Sequence, residues 1–425
     1  MKAKTFFWLI LILVTTNICG CGFGGFSGGG STTEQTNPTD TDTKISGVVS
    51  KGLFKDGYVK VYAVNPDRTR QEISIPEKEP IRINSFGNYS THISSTKTFN
   101  GSYSGVVEIE ATGTYTDEAT AVDKTVTTEE PLRALIANPT DKMKVAVTPL
   151  TELAAQIATK GSGTLTADKV NSANALISDL FKVDIIATQP VALTGDEFLK
   201  SGTDQAQKDY TLALAAISQL AKNGKLSDVL TTLATDLADD GAMSAENAAA
   251  FQTALKEFLA SDRNPTVVKD IRLTNLANAG GTTRTVKVTT TGEPPPGFSF
   301  GGFVVTVELP QGVTLKADFS GEAYQTLSGV VTTSATLPQG IYPMGNYIPP
   351  SDTARGRVTV GMVSGSFGIG ELLTIKCDVP AGTPPPISDF KIVSFDAALY
   401  DPNNGGSTPS NDGPNGKFIN ATVTE

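Results

Sequence analysis

The chain has 425 residues, with 34 Lys and Arg against 44 Asp and Glu, a formal charge of −10 and a single histidine. So acidic a chain is unsuited to nucleic acid, whose phosphates need clustered Lys and Arg, and one histidine leaves little for a triad base, a histidine-built metal site or a proton shuttle. Three cysteines, two of them at positions 19 and 21, exclude a disulfide framework, so the two to four domains that this length suggests must stand on hydrophobic cores.

Lys2 and Lys4 precede an unbroken apolar run over residues 6–14, and small residues follow. This is the three-part pattern of a secretory signal, and the run is too short to span a bilayer as a mature helix. Ile18-Cys19-Gly20-Cys21 resembles the lipobox of bacterial lipoproteins. In that family a peptidase cuts before the acylated cysteine, so the resemblance implies a signal over residues 1–20, lipidation of Cys21 and a chain held on a membrane. Cys19 is a rival site, but Ile18 is large where the motif wants a small residue. Gly22, in place of an Asp, implies the outer membrane or cell surface. Loss of residues 1–20 removes two lysines and no acid, moving the charge from −10 to −12. Residues 21–44 are rich in Gly, Ser, Thr and Asp and read as a flexible tether spanning roughly 25 Å.

Residues 45–147 read as strands. Ile45-Ser-Gly-Val-Val49 and Tyr58-Val-Lys-Val-Tyr-Ala63 are β-branched and alternate, with Lys55-Asp-Gly57 as a turn signal between them. Residues 85–93 and 106–111 continue the pattern, which predicts a small antiparallel sandwich. This stretch resembles the carboxypeptidase regulatory-like (transthyretin-like) domain of exported bacterial proteins, which implies a structural or binding module and not a peptidase.

Residues 148–279 read as helices. Thr148-Pro149 opens one helix, Thr166 caps a second, and Thr194-Gly-Asp-Glu197 has a capping-box spacing. Tyr210, Leu214, Ile217 and Ala221 mark one apolar face; Phe251, Leu255, Phe258 and Leu259 mark another. Five or six short helices predict a bundle.

Residues 282–425 return to strands, the clearest at 284–289, 303–308, 313–317, 358–363, 372–379 and 390–395. Triple prolines at 294–296 and 384–386 belong in loops. GFVVTVELPQGVTLKA and GELLTIKCDVPAGTPPPISDFKIVSFDAALYDPNNGG resemble cohesin-type domains. That resemblance implies a jelly-roll sandwich which binds a dockerin-like module of an exported protein, or a polysaccharide, through one sheet face. The expected fold is therefore multidomain α+β: an N-terminal antiparallel β-sandwich, a central α-helical bundle and a C-terminal cohesin-like jelly-roll β-sandwich.

Few residues offer chemistry. His92 reads as a solvent-facing strand residue, and Cys377, in step with Leu373 and Ile375, as a small buried hydrophobe. Asp117 and Glu118 are oxygen ligands for a calcium ion, or else part of a capped turn packing on the next domain. The Asp/Asn/Gly loop over 401–416 lacks the EF-hand spacing. Asp239-Asp240 and Glu129-Glu130 read as surface charge. The expectation is a surface-anchored, non-enzymatic binding lipoprotein with no catalytic residues and no cofactor except, on the first reading of Asp117 and Glu118, calcium. The alternative is a structural envelope component acting by self-assembly.

Overall fold

The computed structural model describes residues 43–75, 81–93, 98–99, 102–321, 323–334, 343, 345–401, 403, 407–411 and 418–425. The expected signal, Cys21, most of the tether and residues 412–417 of the Asp/Asn/Gly loop lie outside them. Among the described residues, no helix is long and apolar enough to cross a membrane. The chain is mixed α+β, with strands up to Lys144, helices from Pro149 to Ala260, and strands again from Thr282.

The first strand, Thr43–Val48, starts two residues inside the expected tether. It lies between Asn88–Ile93 and Lys142–Lys144 in a four-stranded sheet. The pairing with Lys142–Lys144 is parallel, a departure from the all-antiparallel expectation that arises because the chain returns to its own first strand after completing the module. A six-stranded sheet is built on Leu53–Val64 and Val106–Thr116. Alternation makes Val59, Val61, Val107 and Ile109 face Ile45, Tyr89 and Ile93 across a shared core. Lys55-Asp-Gly57 is not a turn. Leu53–Val64 runs straight through it, absorbing one residue as a bulge between Phe54 and Asp56. Gly57 pairs with Gly113 there, and a Cβ on Gly57 would lie 2.3 Å from Thr112 O. The glycine serves close approach of two strands rather than chain reversal.

Six helices follow: α1 Pro149–Thr159, α2 Ala167–Leu180, α3 Gly195–Leu199, α4 Gln205–Leu220, α5 Leu226–Asp240 and α6 Ala245–Ala260. Thr148, Thr166 and Thr194 cap their helices as the sequence suggests, each side chain accepting from a first-turn N–H. The face carrying Tyr210, Leu214, Ile217 and Ala221 is buried, as is that carrying Phe251, Leu255, Phe258 and Leu259. The helices do not close on themselves alone. Val64, Val106 and Leu135, on the outer face of the six-stranded sheet, belong to the helical core.

The last segment forms a four-stranded and a seven-stranded sheet. Val286, Val288 and Ile375 of one share a core with Val305, Val307, Val360 and Phe395 of the other. Both triple prolines lie in loops. The predicted strand at 313–317 does not form; Ala317–Asp318 alone is strand. Val313, Leu315 and Ala317 do point inward, but pairing stops at an isolated bridge from Thr314 to Asp378, and the following N–H groups bond to side chains: Leu315 N donates to Tyr347 Oη (3.3 Å) and Ala317 N to Asn275 Oδ1 (2.8 Å). Expected loop residues Ser407–Asn411 instead pair as a strand with Lys391–Tyr400.

Strands, helices and strands form one compact unit, Thr41–Glu425. Buried polar contacts join the helices to the last segment. Asn278 Nδ2 reaches Gly312 O and Asp378 O, and Lys182 Nζ bonds Gly281 O. At Gly281 a Cβ would lie 1.9 Å from Val379 O, so only glycine fits where the chain enters its last module.

Candidate functional site

The seven-stranded sheet turns one face to its core and the other to solvent. Val304 pairs with Gly361 and Asp396, Thr306 with Thr359 and Ser394, and Gly302 with Val363 and Ala398. Directly opposed residues share a face, so these nine residues, two of them glycines, form a patch on three neighbouring strands. The patch is not covered: Val304 is 44% exposed and Val363 84%. Thr306 and Thr359 share a 2.9 Å hydrogen bond, and Arg357 Nη2 pairs with Glu308 Oε2 at 2.7 Å at one end. Methyl groups, small residues and hydroxyls give a flat surface suited to contact with another surface. Among the described residues it carries one carboxylate, Asp396, and no histidine, cysteine or metal-ligand cluster. The sequence hides this face because residues 303–307 read as a nearly continuous apolar run. The outward set emerges only from the register of its neighbours.

Asp117 and Glu118 are brought together at the junction with the helices, around a lysine. Lys51 is fully buried, its Nζ 3.4 Å from both Asp117 Oδ2 and Glu118 Oε2 and hydrogen-bonded to Ser218 Oγ of α4. Ser218 Oγ donates to Glu118 Oε2 (2.5 Å), and Gly52 N donates to Glu118 Oε1 (2.6 Å). Asp117 also accepts from Thr120 N (3.0 Å) and pairs with Lys124 at 3.3 Å. Burial alone would raise the Asp117 pKa, but Lys51, Thr120 and Lys124 outweigh it and hold the carboxyl below its ordinary range. An ammonium thus stands between the two carboxylates proposed for calcium. Among the described residues, no group of three or more acidic, histidine or cysteine side chains is placed to hold a metal. Sequence reading missed Lys51 and Ser218 because their partners lie 66 to 167 residues away.

Cys377 is buried with Leu373 and Ile375 in the last core, and burial pushes its thiol far above the ordinary range. His92 is half-buried on Asn88–Ile93, on the opposite side of the strand from Tyr89, Thr91 and Ile93. Asp239, Asp240, Glu129 and Glu130 are exposed.

A second buried acid lies where α4 meets the last segment. Asp209 accepts from Gln205 Nε2 (2.9 Å) and Asn275 Nδ2 (2.8 Å). Its carboxyl is pushed up to about 7, chiefly by burial, against the lowering pull of those same bonds. No family model, curated protein or solved structure matches the chain.

Proposed function

We propose that this chain is an exported, lipid-anchored, non-enzymatic binding protein that recognises an exported protein partner through the outer face of its seven-stranded sheet. The observation that carries the reading is the uncovered patch centred on Val304 and Val363, two exposed aliphatic side chains on one sheet face beside hydroxyls and the Asp396 carboxylate. Contiguous exposed apolar surface is a feature of interaction sites, and Val304 and Val363 lie diagonally on neighbouring strands of the same face. The patch offers no aromatic ring for a sugar to stack on, which favours protein over polysaccharide at this face. Its resemblance to cohesin-type domains points to the same mode of recognition, and the lipobox supports anchoring through Cys21.

The test is capture from the organism's secreted and surface fractions by the full chain and by Val363→Asp. One protein retained by the wild type and lost in the variant supports the reading. Equal capture by both sinks it, and crosslinks only between copies of this chain favour self-assembly. A Cys21→Ser chain should leave the membrane fraction.

A further inference from the structure

We propose that a groove over the outer face of the first six-stranded sheet binds a neutral oligosaccharide. The site uses none of the residues of the Val304 face and stands whether or not that face binds a partner.

Register places the groove. Val64 and Val106 pair beneath the helices, and the sheet then runs out from under them. The next outward rungs are Tyr62–Glu108, Lys60–Glu110–Arg133 and Tyr58–Thr112. A cavity of about 1010 Å³ opens where these rungs meet α1 and the start of α5. A second, of about 390 Å³, lies beside Tyr58 and Arg82. Both touch Thr125, Val126 and Thr128, so the two are consecutive stretches of one groove. The larger one is at the upper end of ordinary small-ligand sites.

Charge selects the ligand class. The larger cavity is lined by six basic and six acidic side chains, the smaller by Arg82 and Asp56. In a chain of net charge −10, this groove is balanced. Several of the charges are already paired across it. Arg70 Nη1 meets Glu108 Oε1 (2.5 Å) and Glu110 Oε2 (2.7 Å), and Arg133 grips Glu152 with Nη2 at 2.7 Å and Nε at 2.9 Å. An ionic ligand would have to break such pairs or sit against an equal number of like charges. A hydroxyl does neither. It can donate to a spare carboxylate lone pair and accept from a spare guanidinium N–H while the pair stays intact.

The rings and floor fit the same ligand. Arg70 Cζ lies 4.5 Å from the Tyr62 ring centroid and Arg82 Cζ 5.4 Å from that of Tyr58, so two guanidiniums sit over tyrosines on one face of one strand, of which Tyr58 borders a cavity. Tyr58 is 41% exposed and borders the smaller cavity. Leu226, half-buried at the start of α5, gives the larger cavity an apolar contact. Sugars present apolar C–H faces to such surfaces and hydroxyl edges to the charges around them. An extended peptide would instead look for an unpaired strand edge.

The experiment is calorimetric titration of the full chain, in zwitterionic detergent, with neutral cello-, malto-, xylo-, manno- and chitohexaose. An oligogalacturonate and a chitosan hexamer serve as acidic and basic counter-probes. One or more neutral hexaoses should bind. Tyr58→Ala should weaken that binding about tenfold, and Thr128→Trp, at an exposed position shared by both cavities, should block it. Val363→Asp should leave it unchanged. Thermal melting separates lost binding from lost folding, and Thr128→Trp keeps the test decisive if Tyr58→Ala unfolds. Silence from every neutral hexaose, equal binding of a charged probe, or full affinity in a folded Tyr58→Ala or Thr128→Trp chain would overturn the assignment.

Discussion

Lys182 Nζ lies 3.2 Å from Asp378 Oδ1, and the two side chains are only 1% and 4% exposed. Lys182 follows α2 in the left-handed region (φ 59°), and Asp378 belongs to the strand Glu371–Val379 of the last segment. One buried ion pair therefore pins helices to sheet. Removing one member of such a pair strands the other charge out of water.

Lys182→Met should accordingly destabilise the chain by about 3–5 kcal/mol. The double variant Lys182→Met/Asp378→Leu should regain most of that loss. Guanidinium unfolding midpoints measure both. A Lys182→Met midpoint equal to wild type would show that the pair contributes little.

Asp209 makes stability depend on pH. Its carboxyl ionises near 7 in the folded chain against 3.8 for the ordinary group, so the folded state holds the proton more tightly. The resulting stabilisation is complete below about pH 4 and is lost as pH rises through 7, by up to about 4 kcal/mol. Asp209→Asn should flatten this part of the profile and gain on wild type towards pH 8. Urea melts of both proteins from pH 4 to pH 8 provide the comparison.

Calcium should leave the melting temperature unchanged, because the Lys51 and Lys124 ammoniums together already neutralise Asp117 and Glu118. Lys51→Met should lower it, by about 3–5 kcal/mol in stability, since two buried carboxylates then face each other. Scanning calorimetry with millimolar calcium and with chelator decides. A calcium-dependent rise in the wild type would mean that the ion displaces the lysine.

Cys377 should be inert while the chain is folded. With Cys19 and Cys21 replaced by serine, maleimide labelling should follow the rate of global unfolding across a denaturant series. Fast labelling in native buffer would contradict the burial of its sulfur.

Local signals were legible in the sequence. Thr148, Thr166 and Thr194 announce helix starts by a rule that spans three residues, and Leu373, Ile375 and Cys377 declare their shared face by alternation. What failed was whatever a distant partner decides. Lys55-Asp-Gly57 reads as a turn until Gly113 is seen opposite Gly57, and residues 313–317 read as a strand until Asn275 and Tyr347 take their N–H groups. Lys51 and Lys182 look like ordinary surface lysines because nothing adjacent to them shows burial. The groove over the six-stranded sheet was invisible for the same reason: Arg70 and Glu108, or Arg133 and Glu152, meet only after folding.

The placing of Thr43–Val48 between two neighbours also has a mechanical meaning. Six residue pairs tie it to Asn88–Ile93 and three to Lys142–Lys144. Cross-strand bonds run nearly perpendicular to the strand in antiparallel pairing. Tension entering at Thr43 along the strand therefore loads these bonds together, in shear, rather than peeling them open in turn. A body tugged by its N-terminal end would yield late and abruptly.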